Sequence, residues 1–178
     1  GDRDWTKNGG KMAYIRALYD GKSYGYLVIK CFKRSIYTDN PVCFPPKGMQ
    51  EDTYMATQLI YYTKSMFKLD KALYHYRRTN PGSLSRQRRA KKRLDTSINL
   101  MDLYLHFKDN LTDSPVQHVY GRILYYAAWN AYYYKLPLLE MYPELAQDVL
   151  KISISRKNMI PIYKQIAARI YVRKNGKR

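Results

Sequence analysis

The clearest pattern of apolar positions along the chain is helical and covers residues 51–64. Apolar side chains recur there at intervals of three to four residues, at Met55, Leu59 and Tyr62, which places them on one face of a helix. The segment opens with two acidic residues and closes with Lys64, so its charges complement the helix dipole at both ends. This pattern predicts an amphipathic helix.

Two other segments have the character of β-strands. Residues 24–32 are rich in aromatic and β-branched side chains, and residues 66–76 alternate between apolar and polar positions, as strands do. Since alternate side chains of a strand share one face, a strand through 66–76 would present Leu73, His75 and Arg77 on the same side. The sequence therefore predicts a small β portion in the first half of the chain.

The second half of the chain has the pattern of helices. Residues 80–82 (Asn-Pro-Gly) predict a turn. Ser85 can then cap a helix whose apolar stripe is Ala90, Leu94, Ile98, Met101 and Leu105. Further helical patterns cover residues 12–19, 115–134, 138–154 and 161–172. The predicted fold class is mainly α with a small β portion, an α+β arrangement.

Composition and charge limit the kinds of protein that this chain can be and the kinds of partner that it can bind. The 178 residues are 46% hydrophobic, which is enough to build the core of one domain. The net charge of +18, from 32 basic against 14 acidic residues, favours phosphate-bearing partners such as nucleic acid, an anionic membrane leaflet or a nucleotide. No run of about eighteen apolar residues occurs, so no membrane-crossing helix is predicted.

The cysteines and histidines exclude two classes of small protein. Cys31 and Cys43 are the two cysteines, and His75, His106 and His118 do not fall at zinc-finger spacings relative to them. Neither a disulfide framework nor a structural zinc site is therefore indicated. Two cysteines without a disulfide framework favour a reduced, cytosolic setting.

A pair of carboxylates begins the helix predicted at 51–64. Glu51 and Asp52 follow an irregular loop at residues 45–49, which would bring the start of the helix to a surface. Acidic residues are common in a first turn because the dipole stabilises them, so capping is the structural alternative. A carboxylate is also a residue type that takes a proton from a hydroxyl as a general base.

A basic group follows the second predicted strand. His75 and Arg77 share one face of it, Arg78 comes next, and Ser83 and Ser85 lie in the turn beyond. Guanidinium groups beside a histidine suit a diphosphate or a metal diphosphate, with His75 as the candidate metal ligand. A polar sheet edge is the structural alternative.

A run of six cations occupies the start of the helix after residue 85. It comprises Arg86, Arg88, Arg89, Lys91, Lys92 and Arg93. Because the dipole disfavours positive charge at a helix start, the run indicates an anion-binding surface, and a solvated helix face is the structural alternative. With the twenty tyrosines it also supports two alternatives without catalysis, a nucleic-acid-binding module and a membrane-surface module. No base-reading motif is present, so no specific nucleic acid is expected.

Several short motifs together resemble the C-terminal part of a bacterial family 2 glycosyltransferase. They are, in order, residues 27–34 (LVIKCFKR), Glu51-Asp52, residues 67–70 (FKLD), residues 73–77 (LYHYR) and residues 83–85 (SLS). The resemblance covers about residues 11–86. Two positions depart from the family pattern, because Gln50 stands where Gly is frequent and Val28 stands where Trp is frequent.

The resemblance implies a GT-A type α/β fold and an inverting transfer of a sugar from a nucleotide-sugar donor to a glycan or lipid-linked acceptor. It assigns Asp52 as the base that deprotonates the acceptor hydroxyl and Glu51 as an acceptor-binding residue. It places His75 and Arg77 near the donor phosphates. A divalent metal, Mg or Mn, is expected in the parent enzyme, which would build a surface glycan in the cytoplasm, at the inner face of the membrane.

The resemblance also implies a division of the chain. Residues 1–85 would be the acceptor-side part of the catalytic domain, residues 86–172 a helical C-terminal extension, and residues 173–178 a basic tail. A nucleotide-binding half, with an Asp-x-Asp motif after a strand, is not found among these residues. The chain by itself is therefore expected to hold no cofactor and to lack turnover.

Overall fold

The computed structural model describes residues 10–76, 79, 89–110, 119–127 and 148. Within them the chain is mainly helical, as predicted. Helix α1 is Gly10–Tyr19, α2 is Arg34–Thr38, α3 is Glu51–Tyr62 and α4 is Arg89–Asn110, with a single 3-10 turn at Leu27–Ile29. Residues 119–127 are also helical. None of the helices in these ranges has both the length and the apolar character needed to cross a membrane.

Helix α1 ends where the sequence predicts, at Asp20-Gly21. Gly21 has a φ of +67°, a left-handed conformation that glycine adopts without steric cost. The amide of Gly21 donates to the carbonyl oxygen of Leu18 at 3.3 Å, and the amide of Lys22 donates to that of Ala17 at 2.9 Å. This pair of bonds is a Schellman motif, which satisfies the last carbonyl groups of the helix and turns the chain away.

Helix α3 is the central helix of the described fold. Its bounds agree with the predicted 51–64 to within two residues, but Tyr54 to Ile60 are seven consecutive buried residues. A helix that is buried all round must pack on several sides, and α3 contacts α1, α2, α4 and the 3-10 turn. The prediction of an amphipathic helix is therefore corrected, because neighbouring elements cover the faces that would otherwise meet water.

Helix α4 and the helical residues 119–127 supply much of the core. Ile98 and Met101 of the predicted stripe are buried, and Leu94 and Leu105 are half-buried. The buried face is wider than that stripe, because Leu103 and Phe107 are also fully enclosed. Large apolar side chains with almost no exposure include Ile15, Tyr54, Met101, Leu103, Phe107, Ile123 and Leu124. The core thus joins residues from both sides of residue 85.

The first predicted strand is not formed. Residues 24–32 run irregularly around the 3-10 turn. The Lys30 ammonium group folds back and donates to the carbonyl oxygens of Tyr24 and Tyr26, at 2.6 and 2.8 Å. A strand needs a neighbour that pairs with its backbone groups, and the described part of the chain contains no strand. The aromatic and β-branched residues at 24–32 are therefore not sufficient by themselves to form a strand.

The second predicted strand is not formed either. Residues 66–76 have no regular secondary structure, and Phe67, the most exposed of their apolar side chains, is 91% exposed. The expectation that Leu73 and His75 share the face of a strand is corrected accordingly. Apolar and polar residues do alternate at 66–76 in the sequence, but this segment joins no β-sheet in the described part of the chain.

The remaining predictions fall partly outside the described residues. The helix predicted at 115–134 is confirmed for residues 119–127. The turn at 80–82, nearly all of the helix at 138–154, the helix at 161–172 and the basic tail lie outside the residues that the structure describes. So do the proposed domain boundaries.

Candidate functional site

The acidic pair begins α3 and lies at a partly open position. Glu51 and Asp52 are both half-buried in the first turn. No residue in the described part of the chain donates a side-chain or backbone hydrogen bond to either carboxylate group. Gln50, the N-cap residue, makes no capping bond with its own side chain either. The helix dipole stabilises both charges, which is the structural alternative for the pair, and among the described residues neither carboxylate accepts a capping hydrogen bond.

The residue before the pair has an unusual backbone conformation. Gln50 has a φ of 64° and lies in the left-handed region, where it is the one non-glycine residue among those described. That conformation costs a residue with a Cβ atom about 1–2 kcal/mol. It is supported by Tyr54, whose amide donates to the Gln50 carbonyl oxygen at 3.0 Å, and by Thr53, whose hydroxyl donates to Gln50 Oε1 at 3.1 Å. The chain thus turns sharply just before the acids.

The loop that delivers α3 is held at two points by buried amide side chains. Gln58 of α3 is 0% exposed and bonds both backbone groups of Cys43, accepting from its amide and donating to its carbonyl, each at 3.0 Å. Asn99 of α4 accepts from the Lys47 amide at 2.9 Å and donates to the carbonyl oxygens of Lys47 and Met49 at 2.8 and 2.6 Å. We call residues 43–49 the clamped loop.

A third polar contact joins the two helices. The Tyr54 hydroxyl donates to Asp102 Oδ2 at 2.6 Å and lies 3.0 Å from Cys43 Sγ, which is 3.7 Å from His106 Nδ1. Burial, followed by the bond to Asp102, raises the pKa of Tyr54, so this side chain stays protonated. Burial lowers the pKa of His106, against a smaller opposing effect of Asp102, so its imidazole is neutral near pH 7.

Residues 24–26 lie against the first turn of α3. A Cβ atom at Gly25 would come within 2.4 Å of Thr53 Oγ1 and 3.1 Å of the Thr53 Cα atom, so only glycine permits this approach. The rings of Tyr24 and Tyr26 stack at 5.6 Å, with an angle of 10° between their planes. Both remain about half exposed. An exposed aromatic pair therefore borders the turn that carries Asp52.

The basic side of the predicted site is not assembled by the described residues. His75 is exposed in the irregular segment 66–76, and no described hydrogen bond or ion pair connects it to Glu51 or Asp52. Lys92 and Arg93 are half-buried in α4. Arg89 and Lys91 belong to the same helix. The other predicted site residues lie outside the described part, namely Arg77, Arg78, Ser83, Ser85, Arg86 and Arg88.

The side chains of the described residues do not form a metal centre. Within the described ranges, no group of three or more His, Cys, Asp or Glu side chains is arranged to hold a metal ion. His75 would be a single ligand, whereas divalent metals in proteins take several.

Sequence reasoning missed the polar contacts behind the acidic pair. Asn99, Asp102 and His106 are spaced as i, i+3 and i+7, so they form one polar stripe on α4. That stripe, in a helix otherwise rich in buried apolar residues, was the available signal. Comparison with known proteins adds no further assignment, because the chain matches no protein-family model, no curated protein and no solved structure.

Proposed function

We propose that this chain is the acceptor side of an inverting glycosyltransferase that moves a sugar from a nucleotide-sugar donor to a glycan or lipid-linked acceptor. The observation that carries the proposal is the position of Asp52. It lies in the first turn of α3, half-buried, behind a loop fixed by two buried amides. A general base needs to be held in place and reachable by the group that it deprotonates.

In the proposed reaction Asp52 acts on the acceptor hydroxyl. Its carboxylate takes the hydroxyl proton while the acceptor oxygen forms a bond to the anomeric carbon of the donor sugar. The bond between that carbon and the diphosphate breaks on the opposite face, and the nucleoside diphosphate leaves with the electron pair. A single displacement of this kind inverts the anomeric configuration. Glu51, one residue earlier in the same turn, would accept a hydrogen bond from the acceptor sugar.

The conformation of Gln50 supports the resemblance on independent grounds. The glycosyltransferases that this chain resembles often have Gly directly before the Glu-Asp pair. The same position has a φ of 64° here, a value that favours glycine. A backbone requirement therefore accounts for the family preference, and Gln50 meets that requirement with the help of its bond to Thr53. At this position the chain differs from the family pattern in its side chain, whereas its backbone has the conformation that favours glycine.

The exposed tyrosines beside the turn suit a sugar acceptor. Sugar rings present C–H faces that pack on aromatic rings, and their hydroxyl groups remain available for hydrogen bonds to carboxylates. Tyr24 and Tyr26 are exposed, and the glycine between them contacts Thr53, the residue after Asp52. In the proposal the acceptor sugar packs on this pair.

The exposed apolar residues support a larger catalytic unit. The eleven large apolar side chains that are exposed in the described structure all lie between residues 24 and 76. Such a concentration is typical of a surface that another domain or protein covers. In the proposed enzyme a nucleotide-binding part of GT-A type pairs with residues 66–76, and this contact brings His75, Arg77 and Arg78 to the donor phosphates. A divalent metal would belong to that part, and the reaction would take place in the cytoplasm.

Replacement of Asp52 in the full protein that carries this chain tests the proposal. The assay measures release of nucleoside diphosphate from a panel of UDP- and GDP-sugars, with glycan acceptors present. Asp52→Asn keeps the shape but removes the base, so turnover should fall by about 100- to 10,000-fold, while donor affinity should be unchanged. Asp39→Asn, at an exposed position after α2, is the matched control. Near-normal turnover of Asp52→Asn would reject Asp52 as the base.

A further inference from the structure

Helix α4 contacts the loop directly before the acidic pair through the side chain of Asn99. Asn99 is 1% exposed, and its amide group makes three hydrogen bonds, all of them to the backbone of the clamped loop. It lies 52 positions after Lys47 in the chain, so these contacts depend on the tertiary fold. Both of its N–H groups and its oxygen are used, which is most of what a primary amide can offer.

Asn99 bonds the backbone of Lys47 and Met49, which lie just before the turn that sets the direction of α3. It bonds the carbonyl oxygens of Lys47 and Met49, and the next residue, Gln50, makes the left-handed turn into the helix. A shift of Met49 would therefore change where the first turn of α3 begins. Asp52 lies in that turn.

No other residue type can replace this side chain. Aspartate has the same shape but no N–H groups, so it would leave two buried carbonyl groups without donors. Leucine lacks both functions, and glutamine is one methylene longer in a fully enclosed site. The three bonds, at 2.6 to 2.9 Å, thus depend on the shape and the donors of asparagine together.

We propose that Asn99 is a positioning residue for Asp52, and that α4 is therefore part of the functional site. The role rests on the proposed function, because it presumes that Asp52 is the base. Asn99 does not touch the substrates; it acts through the clamped loop. Residues after 86, which the family resemblance does not cover, then contribute directly to the placement of the base.

The expected effect on turnover follows from geometry. Displacement of a reacting group by on the order of 1 Å can reduce a rate by about 100-fold. Loss of Asn99 should therefore lower kcat, while the KM of the donor should be unchanged, because the proposed function assigns the donor phosphates to His75 and Arg77 and not to the clamped loop. Loss of a residue needed only for stability would lower the apparent kcat solely through the fraction of folded enzyme, so kcat per folded molecule, with the folded fraction measured by circular dichroism, would then be unchanged.

The test combines amide hydrogen exchange with kinetics in the full protein. The variants are Asn99→Ala and Asn99→Asp, the second of which keeps the acceptor and loses both donors. Ser97→Ala is the control, since Ser97 is equally buried on α4 and its hydroxyl has no hydrogen-bond partner among the described residues. If Asn99→Asp does not fold at the assay temperature, Asn99→Ser is compared with Ser97→Ala at a lower temperature.

The expected result has two parts. In Asn99→Ala, exchange of the Lys47 and Tyr54 amides, which donate to Asn99 Oδ1 and to the Gln50 carbonyl oxygen, should rise by about tenfold or more, while the amides of residues 55–60 keep their protection. Both variants should lose about tenfold or more in kcat, with the donor KM unchanged, and Ser97→Ala should behave as the parent.

Two outcomes would overturn the inference. One is unchanged exchange of the Lys47 and Tyr54 amides in Asn99→Ala. The other is faster exchange of these amides with normal kcat, while Asp52→Asn is inactive in the same assay. An active Asp52→Asn would instead reject the proposed function, and the exchange measurement would still report whether Asn99 holds the loop.

Discussion

The start of α3 and the segment 66–76 carry the two halves of the predicted chemistry, yet the fold supports them very differently. Behind Asp52, the clamped loop is bonded by buried amides from two helices, and the helix that follows is buried for seven residues. Segment 66–76 has no regular structure, and His75 is exposed within it. The acid side is therefore built into the core, whereas the basic side is not ordered by the described residues.

The difference has a simple physical basis. A helix satisfies its backbone hydrogen bonds internally, so α3 requires only side chains to pack against. A strand leaves its backbone groups to a neighbour, and no neighbour is present in the described structure. We infer that the acid side is preorganised within this chain, whereas the basic side requires a further surface. Measurements of stability test this contrast.

Two phenylalanine replacements should separate the regions most clearly. Phe107 is 0% exposed and stacks on Tyr120 at 4.6 Å between ring centres, whereas Phe67 is 91% exposed. Phe107→Ala should lower the free energy of unfolding by about 3–5 kcal/mol. Phe67→Ala should change it by less than about 0.5 kcal/mol. Urea unfolding of this chain measures both, and similar losses for the two variants would contradict the contrast.

Removal of the buried tyrosine hydroxyl should have the next largest effect. Tyr54→Phe removes the donor to Asp102 and the contact with Cys43, so a half-buried carboxylate loses its partner. The free energy of unfolding should fall by about 1–3 kcal/mol. Tyr26→Phe, at an exposed ring, is the control and should be neutral. Equal effects in urea unfolding would show that the contact between α3 and α4 contributes little.

Gln50 tests the backbone at the entrance to α3. Gln50→Gly and Gln50→Ala both lose the bond to Thr53, but the glycine variant relieves the left-handed strain and the alanine variant keeps it. The glycine variant should be more stable than the alanine variant by about 1 kcal/mol in thermal or urea unfolding. Equal stabilities would mean that residue 50 does not need the left-handed conformation.

His106 should make stability depend on pH in a limited range. Burial holds its folded-state pKa below the usual 6.5, so below that pH the unfolded state binds more protons than the folded state. Stability should be unaffected by His106 above about pH 6.5 and should fall as the pH drops toward the lowered pKa. Urea unfolding of the parent and of His106→Gln across this range measures the effect. A slope that persists unchanged in His106→Gln would assign it to other groups.

Local structure followed from the sequence wherever one segment supplies its own interactions. The end of α1 at Gly21 needed only a glycine and two carbonyl groups, and α3 needed apolar spacing with acids at its start. The acidic pair was correctly placed at a helix start for the same reason. The strands at 24–32 and 66–76 were not, because strand formation depends on a partner that a single segment does not encode.

The sequence by itself determined the helical character of the described chain, the position of Glu51 and Asp52 at a helix start, and the excess of positive charge. These properties depend on residues that are close along the chain. The tertiary structure alone decided that α3 is buried all round and that Gln58 and Asn99 hold the clamped loop. Asn99 and Lys47 are 52 positions apart, and hydrogen bonds over such a separation form only when packing brings the clamped loop and α4 together.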